Sequence, residues 1–448
     1  MEWGWAEHYG HNVLHPIGLV SVLTLGVALI QLPRRYSILP MILLACFIPS
    51  AQRLVIVGAD FDLLRILVMF GWTRLIIRNE FRGFVWNRLD TLFAMWMVSG
   101  TLIYSLQWQT MSAFVNRAGW MFDGLGMYFF FRCVLRSWED YTFLIRAIVL
   151  ISFPVALAFC VERATGRNVF AIFGGVPEVT IVRDGKLRCQ GAYSHAILAG
   201  CFWVGAMPWM IALIVSGRRW LGAAGVAAGL VVVVNCASST PVLAFCFMLL
   251  GMSLYFVRHQ TRSIRWGFLF LLVFLHMIMS KPVWHLLARV NVVGGSTGWH
   301  RYIIMDATIN NFSKWWALGE TNPMAWGVWE MRDITNQYIL EALRGGLLTL
   351  TCFVFVIGLA FGIVGRALRA LREGTSEYVL VWSIGTALFV HVCIYFSVAY
   401  FGQIIMLWYL TLAMIGSLPS VVVQSSEAQS TTVPPQGILG QWRTRNAR

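Results

Sequence analysis

The chain has 448 residues, of which 58% are hydrophobic and only 12% charged; soluble domains carry about 25% charged residues, so a soluble globular fold is excluded. A formal charge of +14 invites a nucleic-acid reading, but the basic residues are scattered as short clusters between apolar runs and form no single patch. The nine cysteines fall mostly inside those runs, with no CxxC pair and no metal-ligand spacing, which argues against a disulfide framework or a zinc site.

Glu2 and Glu7 stand where a basic leader would begin, so we expect no cleavable signal peptide. With about 20 apolar residues needed to cross a bilayer, fewer in a bundle, spans are predicted at 13–32, 38–52, 60–77, 89–107, 118–135, 142–160, 192–216, 220–236, 240–257, 265–281, 338–364, 378–399 and 401–418. The fold class is therefore all-α and polytopic, with about 12 to 13 transmembrane helices in a single domain over 1–423. The third span is the least regular, because Arg65 and Arg74 interrupt it. Trp (21) and Phe (30) are abundant, as expected where rings anchor helices at the lipid interface.

Arginines mark roughly every second junction: Arg34 and Arg35, then Arg78, Arg82 and Arg88, then Arg136, Arg218 and Arg219, Arg258, Arg262 and Arg265, and Arg366, Arg369 and Arg372. Arg443, Arg445 and Arg448 close the chain. Placing these inside puts the N-terminus outside and the C-terminus in the cytoplasm. Two long outer connections follow, near 161–190 and 281–337, the second partly helical. The polar, Pro-containing stretch 424–448 is expected to be a disordered cytoplasmic tail.

Both outer loops run against the charge rule. The first holds Arg163, Arg167, Arg183, Lys186 and Arg188; the second holds Lys281, Arg289, Arg301, Lys314 and Arg332, with Arg344 just inside the next span. Long loops translocate regardless of charge, so each arginine alone can be a solvated residue. Together they favour a surface for a membrane-borne anion, because the planar guanidinium fork pairs with phosphate oxygens and stays charged.

Local patterns sharpen this. In RCQGAYSHAILAGCFW, Arg188 precedes a Gly turn, and His195 is expected one helical turn into the next span, as a functional group or as a histidine satisfied by a nearby carbonyl. GGSTGWHRYIIMDATINNF reads as a Gly-rich turn and then a helix opening at His300 and Arg301. WWALGETNP makes a turn, and RDITNQYILEALRGG (332–346) leads into an apolar run. If Asp333 begins a helix, Asn336, Gln337, Leu340 and Arg344 share its face, a polar stripe that is costly unless it lines a cavity. The plainer alternative is helix capping by Asp333, Thr335 or Asn336, which leaves Gln337 and Arg344 unexplained.

At this point the chain resembles the O-antigen ligase and O-antigen polymerase family of bacterial envelope glycosyltransferases. The likeness spans roughly 60–418 and rests on Arg188 with Gly191 before a mid-chain span, Arg301 opening a loop helix, and the turn Ala317-Leu318-Gly319. It also rests on Asn336-Gln337-Tyr338-Ile339, Leu343 and Gly346-Leu347 in the pattern that closes the loop. Thr335 replaces the family histidine, regarded as assisting the acceptor hydroxyl, and Arg344 replaces the family glutamate.

The resemblance implies a protein of the bacterial inner membrane with periplasmic loops. It would move a glycan from an undecaprenyl-diphosphate donor to a sugar or lipid hydroxyl, with membrane lipids as its other partners and no nucleic acid. No cofactor is implied. No metal is expected either, since the outer face lacks an Asp/Glu cluster to hold one. Arg188, Arg301 and Arg344 would stabilise the leaving diphosphate. Asp333 would serve as base, with His300 and His195 as alternatives, while Asn336 and Gln337 would orient sugar hydroxyls or Asp333 itself. Of the outer tryptophans Trp299, Trp315, Trp316, Trp326 and Trp329, Trp316 is the candidate cover for a sugar ring, and interfacial anchoring is the competing role. The rival classes are a transporter or flippase, with broken helices in symmetric pairs, and a non-catalytic envelope assembly protein.

Overall fold

The computed structural model describes residues 13–56, 59–289 and 298–432. Glu2, Glu7, the Gly-rich turn preceding Gly298, and the tail beyond Thr432 with Arg443, Arg445 and Arg448 lie outside the described residues.

Each of the thirteen predicted spans overlaps one helix, the first ten being α1 (Pro16–Gln31), α2 (Leu39–Phe47), α3 (Leu63–Ile77), α4 (Arg88–Trp108), α5 (Met111–Val134), α6 (Trp138–Thr165), α7 (Ala196–Val215), α8 (Arg219–Asn235), α9 (Ser239–Ser253) and α10 (Thr261–Ile278). Two helices, α11 (Gly298–Asn310) and α12 (Phe312–Trp315), belong to the second long loop; α13 (Gln337–Ala370), α14 (Ser376–Ile394) and α15 (Ile404–Thr432) complete the bundle. Among the described residues seven helices are long and apolar enough to cross a membrane. Sheet is confined to two antiparallel hairpins among the described residues, β1 (Arg53–Ile56) with β2 (Ala59–Asp62), and β3 (Val182–Arg183) with β4 (Lys186–Leu187). The protein is an all-α, multi-pass membrane protein.

The helices start where short polar side chains take up the first free N–H groups. Asn87 and Asp90 form a reciprocal cap on α4, and Ser137 and Asp140 do so on α6. The interior helix is α7, apolar all round and packed against α8, α9 and α14, as expected of a helix with no polar face. The last helix runs to Thr432, past residue 424 where composition alone predicts loss of structure.

The arginines that interrupt the third span face the bundle. Arg65 forms a bidentate pair with Asp123, at 2.8 and 2.6 Å. Arg74 is fully buried; it grips Glu80 at 2.8 and 2.7 Å and donates to the Leu29 and Leu32 carbonyls at 2.6 Å each. Arg132 holds Asp90 at 2.9 and 3.0 Å and Ser417 at 3.0 Å. These arginines thus tie helices together. Arg74→Ala leaves the part-buried Glu80 carboxylate and two carbonyls without their partner, and we expect it to cost about 3 kcal/mol, read as a lower unfolding temperature of purified protein.

Candidate functional site

The two long loops meet the helices at one end of the bundle, opposite the arginine-rich end. The first is fastened by Glu162, which is 1% exposed at the end of α6. Its carboxylate accepts the Gln190 N–H at 3.1 Å, the Gly191 N–H at 2.9 Å and the Thr180 hydroxyl at 3.1 Å. Asn168 donates to the Gly191 carbonyl at 2.8 Å. Gly191 has φ +58°, and a Cβ there would lie 2.5 Å from the Phe159 ring. The glycine three residues after Arg188 is therefore required by a tight turn against α6.

That turn sets Arg188. The neighbouring Cys189 N–H donates to the Asn235 carbonyl at the end of α8, 3.0 Å away, and the buried Arg188 Nε makes no hydrogen bond. Burial, reinforced by the like charge of Arg183, pulls the Arg188 pKa down. His195 caps α7, its Nδ1 accepting the Ile197 N–H at 3.1 Å. The capping role answers part of why a histidine sits there.

In the second loop, Ile304, Ala307, Trp315 and Met331 pack with Ile339, Ala342 and Leu343 of α13 as a small satellite core. This seats α11 so that Arg301, 8% exposed, donates from Nη2 to the Thr240 hydroxyl at 2.9 Å in the first turn of α9. Its Nε, too, is buried and makes no hydrogen bond, and burial lowers its pKa. Asn235 and Thr240 flank the short turn from α8 to α9. The structure thus brings the backbone beside Arg188 and the side chain of Arg301 to the same turn, although no direct bond links the two guanidiniums among the described residues.

Asp333 does not begin the helix. It follows a 3-10 turn, Trp329–Arg332, in extended backbone, and α13 starts at Gln337 with Asn336 as its cap, accepting the Ile339 N–H at 3.2 Å. The polar stripe expected from Asp333 is therefore corrected to one that starts at Gln337. Gln337 is a bracket: its N–H meets the Tyr395 carbonyl at 2.9 Å, its Oε1 accepts the Tyr400 N–H at 2.8 Å, and its Nε2 reaches Glu341 at 2.8 Å. Glu341 also accepts the Trp96 indole N–H at 3.0 Å. Asn336 and Gln337 are thus both engaged in holding the fold.

His300 Nε2–H donates to the Asp333 backbone carbonyl at 2.9 Å, which fixes its tautomer and holds α11 to the segment before α13. Half-burial raises the Asp333 carboxyl pKa above the ordinary carboxylate range, with His300 opposing. Thr335, at the position of the family histidine, has a buried hydroxyl oxygen without a hydrogen bond.

Arg344 is exposed on α13 and acts electrostatically on Arg117 of α5; among the described residues no bond links it to Arg188 or Arg301. Trp315 is not an outer-face ring: it is buried, and its indole donates to the Thr308 carbonyl at 2.7 Å. Trp316 is 51% exposed, and its backbone is occupied by α13.

That occupation reveals a feature missed from the sequence. At Gly346, with φ +61° and ψ −167°, α13 breaks its helical course. The turn 316–320 fills the break: the Leu347 N–H reaches the Trp316 carbonyl at 2.7 Å, and the Glu320 N–H reaches the Leu343 carbonyl at 2.8 Å. Gln107 of α4 donates to the same Leu343 carbonyl at 3.0 Å. The signals available were Gly345-Gly346 inside an apolar run and Gly319 in the turn, each requiring bare backbone. Glu162 and Thr240 were also missed; their partners are distant backbone and a distant arginine, which spacing does not reveal.

Compared with known proteins, the sequence matches no family model and no curated protein. Among the described residues no three His, Cys, Asp or Glu side chains gather as a metal site requires.

Proposed function

We propose that the protein is a membrane glycosyltransferase that moves a glycan from an undecaprenyl-diphosphate donor to a sugar or lipid hydroxyl at the loop end of the bundle. In this reading the chain crosses a bacterial inner membrane about 12 to 13 times, as the span-length rule gives, with the loops periplasmic and the C-terminus cytoplasmic. The observation that carries it is the meeting of two loops at the α8–α9 turn, each presenting a half-buried or buried arginine with an unused Nε. A buried guanidinium with spare donors is stabilised by an oxyanion, and a diphosphate supplies several.

The chemistry asked of the site is modest. The bond between C1 of the glycan and the diphosphate oxygen breaks, and the electron pair leaves with the diphosphate, where Arg188 and Arg301 stabilise the charge. The acceptor hydroxyl bonds to C1, and its proton passes to Asp333. Asp333→Asn is expected to lower the transfer rate by about 10²-fold with donor affinity unchanged. In the wild type, transfer should fall as pH drops through a value above the ordinary carboxylate range, because protonation removes the base; a pH–rate profile of both proteins checks this.

A broken helix also occurs in transporters, where breaks come in symmetric pairs around a substrate. The break in α13 is filled by loop backbone, which favours the enzyme. Purified protein given a labelled lipid-diphosphate donor, an acceptor and a chelator separates the readings. A new glycosidic bond supports the transferase; donor movement without one supports transport; neither supports an assembly role.

A further inference from the structure

At the opposite end of the bundle a cavity of about 200 Å³ opens between α6, the α7–α8 turn and the start of α14. Trp138, Thr142 and Arg146 line it from α6, Ser216 and Arg218 from the turn, and Glu377 from α14. Two of its donors are orphaned: Arg146 Nε and Trp138 Nε1 are buried and make no hydrogen bond. The Thr142 and Ser216 hydroxyls are engaged with the Trp138 and Leu213 carbonyls, and Glu377 accepts from Ser376 at 3.0 Å. Two guanidiniums therefore face a single carboxylate already in use. Moreover, α6, α8 and α14 all begin here, at Trp138, Arg219 and Ser376. The starts of α6 and α14 are capped by Ser137 with Asp140 and by Thr375, whereas α8 has no side-chain cap, so the positive end of its backbone dipole favours an anion there.

We propose that this cavity binds a phosphate group, held by Arg146, Arg218 and the Trp138 indole N–H. The unmade bonds are what such a ligand would complete, and the excess positive charge sets its sign. A soluble phosphate and the headgroup of an anionic lipid offer the same oxygens, so the test has an arm for each. Purified full-length protein in phosphatidylcholine nanodiscs is titrated with inorganic phosphate by calorimetry. In parallel, nanodiscs containing phosphatidylglycerol are analysed by native mass spectrometry for retained lipid. We expect saturable binding in one arm, weakened about tenfold or more by Arg146→Gln with the unfolding temperature unchanged. Should that variant fail to accumulate, Arg218→Gln, at an exposed rim position, is expected to weaken the same binding. The proposal is overturned if neither phosphate nor phosphatidylglycerol is held above chloride or phosphatidylcholine, or if both variants bind like the wild type. Glycan transfer need not change in either variant, so this result stands apart from the outcome at Arg301.

Discussion

Arg301→Ala is expected to reduce glycan transfer by about 10²–10³-fold while the protein still inserts and accumulates. The argument rests on where the guanidinium sits. Its Nη2 donates to the Thr240 hydroxyl, a neutral partner, so no buried carboxylate is stranded when the arginine is removed, and α11 is held by its apolar contacts and by His300. The loss therefore falls mainly on whatever charge the site is built to meet. A leaving diphosphate gains charge as the C1–O bond breaks, and a fixed cation in a water-poor site stabilises that change more than it stabilises the resting donor. Arg301→Lys keeps the charge but not the fork, so an intermediate rate is expected. Transfer per mole of membrane-inserted protein is the measurement, and wild-type rates in Arg301→Ala would remove the clamp from the mechanism.

The second large effect is structural. Gly346→Ala is expected to lose most of the folded protein. The backbone at Gly346 lies in a region that only glycine occupies readily, at a cost of about 1–3 kcal/mol for other residues. The added Cβ would also sit 2.5 Å from the Ala317 carbonyl oxygen and 3.0 Å from that of Trp316. Both atoms are backbone and neither can swing aside, so relief requires withdrawing the 316–320 turn from the helix break. The Leu347-to-Trp316 and Glu320-to-Leu343 hydrogen bonds then go together. Gly358 is the control in the same helix: nothing lies within 4 Å of a Cβ there, so Gly358→Ala is expected to be neutral or slightly stabilising. Detergent-solubilised yield and unfolding temperature separate the two variants.

The helices were legible because the bilayer fixes a length and leaves the backbone no partner but itself, so a long enough apolar run must be a helix. Pairing was not. Arg65 and Arg74 look alike in the sequence, yet one finds Asp123 far along the chain and the other finds Glu80 six residues on. The start of α13 was ambiguous for a local reason: Asp333, Thr335 and Asn336 all favour cap positions, and tertiary bonds from Gln337 to Tyr395 and Tyr400 decide among them. At the candidate site, Arg188 and Arg301 stood out because outer cations are unexpected. Their common turn at Asn235 and Thr240 did not, since those residues lie in neither loop.

The central claim is that Arg188 and Arg301 act on one diphosphate. A double-mutant cycle on donor affinity tests it most directly, with Arg188→Gln, Arg301→Gln and the combined variant measured in the same lipid. If both guanidiniums hold one anionic group, the combined loss should fall short of the product of the single losses by about tenfold or more. Strictly multiplicative losses, or single variants that bind donor like the wild type, would contradict the account.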